Sequence, residues 1–186
     1  MDAKKWFHEA KFGIMVHWGL YSLFGGEWKG KRMPGIGEWS QSYFQIPNAE
    51  YEQLTKAFQP ICFSAKEWVK FAQDCGAQYF VVTAKHHEGF CMYHSRVDRY
   101  NVVNQTPFGR DVIDEIGEAC YKYGMRLGLY YSQALDWHEE HGGGYDEKIS
   151  VCAGTTWDNS WDFRTEAKRI FPFALKTKSS LRSRKF

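Results

Sequence analysis

Residues 79–90 read YFVVTAKHHEGF, and the fold turns on how this stretch divides. Tyr79-Phe80-Val81-Val82-Thr83 is nearly continuous in apolar and β-branched residues. A strand wetted on one side would alternate apolar and polar; an unbroken run indicates burial on both faces, as in a parallel sheet. Lys85, His86, His87 and Glu88 follow directly, so a dense polar cluster stands where a buried strand stops.

Working outward, the same grammar repeats. Upstream, Ser64-Ala65-Lys66-Glu67 has the form of a capping box, with Ser at the N-cap and Glu three residues on. Ala65, Trp68, Val69, Ala72 and Cys75 recur at helical spacing and form one apolar face, and Gly76 ends the helix. Asn48 to Phe58 is helical in composition and stops before Pro60. Phe12 to His17 reads as a short buried strand, and residues 19–46 as a long irregular stretch rich in Gly and aromatics. Downstream, Asp111 caps a third helix with Val112, Ile116, Ala119, Cys120 and Tyr123 on one face, ended by Gly124. Leu127 to Tyr131 is a third strand, followed by a polar, Gly-rich loop from Ser132 to Tyr145. Strands alternating with amphipathic helices specify an α/β fold with a parallel sheet.

In such sheets ligands gather at the carboxyl ends of the strands. The first strand delivers His17 and Trp18 there, the second Lys85, His86 and His87, the third Tyr130, Tyr131 and Ser132. Three readings of His86-His87 compete. One is a metal site with His17 as third ligand, although neighbours on an extended chain point to opposite faces. Another is a plain polar finish to a strand. The last is a pair of neutral imidazoles that hydrogen-bond hydroxyl groups. Gly37-Glu38-Trp39 offers a carboxylate beside an indole, which suits a sugar's hydroxyls and apolar face, or is an ordinary loop tryptophan. Nucleotide chemistry finds no support: there is no GxGxxG or phosphate loop, and Gly35-Ile36-Gly37 is too little.

Bulk properties set the frame. The 186 residues fit one domain, and 44% hydrophobic with 25% charged residues fits a globular chain. Aromatics reach 18%, which suits either flat ligands and sugar faces or a Trp-rich core. Five scattered cysteines without a CxxC point to a reducing compartment, and MDAKKWFHEAKF has no apolar leader, so a cytoplasmic location is expected. No run approaches a membrane span. The net charge of +2 hides a break: residues 164–186 carry eight Lys or Arg and one Glu. Residues 1–163 are thus expected to form the folded part, and 164–186 a basic tail that is disordered or a non-native continuation after a reading-frame slip or truncation. A nucleic-acid or membrane-binding arm is the competing reading of that tail.

Four segments, KFGIMVHWGLYS (11–22), GEW (37–39), FSAKEWVKFAQDCGAQYFVVTAKHHEGF (63–90) and GMRLGLYYSQALDW (124–137), resemble the N-terminal half of the catalytic domain of α-L-fucosidases of glycoside hydrolase family 29. The likeness runs over roughly residues 5–163, with Glu88 where Asp is commoner. It implies the first three or so units of a (β/α)8-like, TIM-type barrel, and removal of terminal L-fucose from glycoconjugates with retention of configuration. By this resemblance the fucose-binding residues are His17, Glu38, Trp39, His86, His87 and Tyr130, the last as the first Tyr of YYS. It implies no cofactor, no metal, and a fucosylated oligosaccharide or glycoconjugate as partner rather than nucleic acid or membrane. The family's nucleophile, an Asp, and its acid/base fall on later strands and find no match in this chain. Asp162 comes too early. The chain alone is therefore expected to be inactive and, with part of a barrel, poorly soluble or molten. The alternative is a non-catalytic carbohydrate-binding or interaction protein on the same scaffold.

Overall fold

The computed structural model describes residues 3–133, 135–140, 142 and 159–163. The basic tail 164–186, Cys152 and the end of the loop at Tyr145 lie outside the described residues. Helix α1 (Ala3–Ala10) leads into strand β1 (Gly13–Val16). A 3-10 turn (Leu20–Phe24) precedes a hairpin of β2 (Glu27–Trp28) and β3 (Lys31–Arg32), and a second 3-10 turn (Gly37–Trp39) runs into α2 (Ser40–Phe44). Then come α3 (Asn48–Tyr51) with a 3-10 extension (Glu52–Ala57), α4 (Ala65–Asp74), β4 (Tyr79–Lys85), α5 (Val102–Gln105), α6 (Val112–Lys122) and β5 (Arg126–Tyr131). The main sheet is parallel in the order β1-β4-β5. This is the α/β, parallel-sheet architecture that the unbroken apolar run requires.

The core lies between one sheet face and the helices. Phe80, Val82 and Ala84 alternate along β4 and meet Val69 and Ala72 of α4 and Val112, Ile116, Ala119 and Cys120 of α6. The helix starts follow from their caps. Ser64 accepts a hydrogen bond from the Glu67 amide at 3.3 Å, and Asp111 from the Asp114 amide at 3.0 Å. Asp111 also accepts from the His94 amide at 2.7 Å, so one carboxylate starts α6 and pins the preceding loop. Asp111→Ala is expected to cost about 1–2 kcal/mol, measured as a lower urea midpoint with an unchanged slope.

Several sequence expectations are corrected. Cys75 is exposed, because it stands past the last turn of α4, where the helical face has ended. Residues 19–46 contain the hairpin and three short helical turns; turns this brief show no periodicity to read. Helix α1 was missed, and it covers the amino end of the sheet: Trp6 and Phe7 pack on Tyr79, and Arg126 lies 4.1 Å above the Trp6 ring. Gly13 is required there, since a β-carbon would meet the Tyr79 ring at 2.1 Å. The amino end is thus closed by rings, and polar groups are left to the carboxyl end.

Candidate functional site

The three expected strand ends do converge, but not every residue at them takes part. Thr83 of β4 fixes the end of β1. Its hydroxyl donates to the Trp18 carbonyl at 2.7 Å and accepts from the Trp18 amide at 2.8 Å. That double bond aims His17 into the site and sends Trp18 the other way, into Phe58, Phe63 and Trp68. Trp18 is a core residue and does not line the opening. Lys85 is likewise fully buried, its ammonium paired with Asp136 and lying 5.1 Å from the Tyr131 ring. Tyr131 occupies the opposite strand face from Tyr130, as alternation demands.

His86 and His87 lie side by side, ring centroids 4.0 Å apart. Opposed directions hold only for extended backbone. Here β4 stops at Lys85, and a turn bonds the Gly89 amide to the His86 carbonyl at 3.1 Å. The His86 ring stacks on Tyr130 (5.3 Å, 20°) and meets His17 edge-on (5.5 Å, 70°). Glu38 enters from its 3-10 turn, with Oε1 4.0 Å from His17 Nε2. Trp39 beside it is only 4% exposed, packed edge-on against His87 (5.0 Å) and Trp137 (5.3 Å). It walls the site and offers no open stacking face. All six residues named from the sequence are therefore gathered at one end of the sheet.

The electrostatics favour neutral imidazoles. Burial, reinforced by His87 and His17, lowers His86 to a pKa of about 2. Burial and then the Lys85 ammonium lower His87 to about 3, against an opposing pull from Asp136. The hydrogen on His87 can be placed. Ser132 Oγ gives its only hydrogen to the Leu135 carbonyl at 2.5 Å, so it must accept from His87 Nδ1 at 2.7 Å. His87 Nε2 is then a bare acceptor. Tyr130 is raised above its usual pKa by burial, then by Glu38 and Glu88, and stays a phenol.

One donor atom each from His17, Glu38 and His86 lies within 4.8 Å of the others. Zinc bonds of about 2.1 Å would set tetrahedral ligand atoms about 3.4 Å apart. Two hydrogen bonds of about 2.8 Å to one hydroxyl oxygen set their partners about 4.6 Å apart. His17 Nε2 and Glu38 Oε1, 4.0 Å apart, stand between these two spacings, so one hydroxyl oxygen can reach both with a small adjustment.

Three supporting residues escaped sequence reasoning. Asp136 holds Lys85, while the adjacent Trp137 amide bonds the His87 carbonyl at 2.6 Å. Thr83 hid inside an apolar strand. Glu88 is 1% exposed, and burial raises its pKa to about 8. The usable signals were a hydroxyl within a buried run and a carboxylate shortly after a strand, both too common to single out.

A sequence profile of the family described as Alpha-L-fucosidase matches residues 1–169. The tissue alpha-L-fucosidase of Mus musculus is 37% identical over 140 residues, which is 71% of this chain and 30% of that protein. The unliganded alpha-L-fucosidase AlfC from Lactobacillus casei superposes with a TM-score of 0.90 at 56% identity, covering 96% of this chain and 55% of that one. An alpha-L-fucosidase from Vibrio sp. strain EJY3 is 32% identical, with a TM-score of 0.82 over 94% of this chain and 28% of its own. AlfC has also been solved in complex with alpha-L-fucose product, at the same identity and a TM-score of 0.90, covering 96% of this chain and 54% of that one. The chain thus spans about 30% of the length of the curated relative and about half of AlfC.

Proposed function

The chain belongs to the alpha-L-fucosidase family, and from that membership we propose that its site is the hydroxyl-binding part of a retaining α-L-fucosidase pocket. The sheet is read as the first three strands of a (β/α)8-like barrel, with the pocket at its carboxyl end. One observation carries this reading: polar atoms of His17 at the end of β1, Glu38 in the Gly37–Trp39 turn and His86 at the end of β4 converge within 4.8 Å of one another, beside two imidazoles kept neutral by burial.

The roles follow from protonation. His86 and His87 are uncharged near neutral pH, so they bind hydroxyls and do not act as acids. His87 Nε2 accepts. His17, Glu38 and Tyr130 complete the ring of donors and acceptors, and Trp39 keeps His87 in place. Retaining hydrolysis needs a nucleophile and an acid/base about 5–5.5 Å apart. Among the described residues at the opening only Glu38 is a partly exposed carboxylate, and it sits against His17. The two reacting carboxyls are therefore assigned to later strands of the longer relatives.

Calorimetry with L-fucose tests the reading. Saturable binding is expected, weakened about tenfold in His87→Ala through loss of one well-placed hydrogen bond. No hydrolysis of 4-nitrophenyl-α-L-fucopyranoside is expected from these residues. Absence of binding at tens of millimolar L-fucose, with the fold intact by circular dichroism, would overturn the assignment. Tight binding without hydrolysis, in a form that includes the later strands, would identify a carbohydrate-binding protein instead.

A further inference from the structure

Behind the pocket, two buried polar atoms have no hydrogen-bond partner. They are His86 Nδ1 and Glu88 Oε2, and they face each other at 3.7 Å. That is beyond a hydrogen bond, and a small rotation of the carboxyl closes the gap of about 1 Å. Orphaned buried polar atoms are costly and rare, so two that face each other call for a shared proton. The position is built. Gly19 lies against the carboxyl, where a β-carbon would meet Glu88 Oε1 at 2.9 Å and the Tyr21 ring at 2.7 Å. Tyr21 holds its own place through Thr83 at 3.4 Å and packs edge-on against His86 at 5.6 Å.

We propose that Glu88 is a positioning residue for the sugar site, and that its carboxyl decides which nitrogen of His86 carries the hydrogen. A neutral imidazole has one N–H. When Glu88 is a carboxylic acid it donates to Nδ1, and Nε2 keeps its hydrogen and turns it to the ligand. When Glu88 is a carboxylate it accepts from Nδ1–H, and Nε2 becomes an acceptor. His87 Nε2 is an acceptor already, held so by Ser132. In the acid form the paired histidines thus present one donor and one acceptor, the two contacts a sugar hydroxyl can satisfy together. In the carboxylate form they present two acceptors. This specificity argument rests on the fucose reading of the pocket; the proton position does not.

The surroundings favour the acid at neutral pH. Burial raises the Glu88 pKa to about 8, with Asp136 and Glu38 adding to the rise and its own backbone amide and Lys85 opposing it. The other groups that feel this carboxyl are the phenols of Tyr21, Tyr51, Tyr100 and Tyr130; each is raised first by burial, with Glu88 adding to the rise and Glu38 acting before it on Tyr130, so they stay neutral.

The test is nitrogen NMR on the chain labelled with 15N-histidine, with His86 assigned by its absence in His86→Gln. In the unaltered chain His86 should be the Nε2–H tautomer at pH 6.5. Raising the pH past 9 should move the tautomer ratio by about tenfold toward Nδ1–H, the scale of one buried hydrogen bond to a charged group. In Glu88→Gln, which keeps size and shape, the ratio should not respond to pH. In Glu88→Leu it should relax to a mixture. A His86 tautomer that is the same at pH 6.5 and 9.5, and the same in the unaltered chain and Glu88→Gln, overturns the proposal without relying on any variant of doubtful fold. Calorimetry with L-fucose is the second arm, with affinity expected to fall about fivefold to tenfold above pH 8 in the unaltered chain only. A pH-dependent tautomer with no L-fucose binding supports Glu88 as the positioning residue and sinks the sugar assignment.

Discussion

Lys85→Met is expected to destabilise the protein by about 3–5 kcal/mol, the cost of removing one partner from a buried ion pair. Both members are essentially out of water, at 0% and 2% exposure. Methionine matches the lysine stem in volume but leaves the Asp136 carboxylate without its countercharge. The His138 amide, at 3.2 Å, is neutral and does not replace that charge. The loss should appear as a lower denaturant midpoint followed by tryptophan fluorescence. The double change Lys85→Met with Asp136→Leu should recover much of it, because two apolar groups leave no buried charge. A single-variant loss under about 1 kcal/mol would show that the pair contributes little beyond packing. The proposed sugar site should suffer as well, since the segment that Asp136 anchors carries the Trp137 amide that holds the His87 carbonyl.

Stability should peak near pH 6.5 and fall on both sides. His86 and His87 take up protons near pH 6.5 when unfolded but near 2 and 3 when folded. Below 6.5 the unfolded chain therefore binds more protons, and stability is lost as the pH falls. Glu88 behaves oppositely. Unfolded it ionises near 4.5, folded near 8, so the folded state holds the extra proton between those values and stability is lost as the pH rises. Each proton is worth about 1.4 kcal/mol per pH unit. From these three groups the slope is about two protons' worth upward with pH below 4.5, one upward to 6.5, and one downward to 8. A melting temperature recorded from pH 4 to 9 should trace this asymmetric peak. Glu88→Gln should flatten the alkaline side and steepen the rise between pH 4.5 and 6.5 from about one proton's worth to about two. An unchanged melting temperature across pH 5–8 would contradict the burial of all three groups.

The parallel sheet and the two long helices were legible in the sequence because their signals are local. Ser64 and Asp111 announce helix starts, and the unbroken apolar run announces a strand; among the described residues its Phe80, Val82 and Ala84 face is packed, while Tyr79 and Val81 on the other face are half-buried. The meeting of His17, Glu38, His86, His87 and Tyr130 was legible only through the rule that strand ends converge, joined to family likeness. What stayed hidden depends on distant partners. Trp18 follows His17 directly, yet it turns inward because of a hydroxyl far along the chain. Lys85 reads as polar but is buried, since its countercharge comes from the loop after β5. The His86-His87 pair follows its strand as expected, but its backbone turns where extended geometry is expected, and one turn is enough to bring the rings together.

The central position of β4 also bears on how quickly the site can form. Its Thr83 bonds Trp18 across 65 residues, its Lys85 reaches Asp136 across 51, and His87 meets Ser132 across 45. Ring closures of this length cost chain entropy before any contact repays it. Helices α4 and α6 can form early against β4, whereas the pocket depends on both outer strands having docked in register. Refolding should thus recover helical signal first and the proposed sugar binding last, with the pocket as the slowest-assembling part of the molecule.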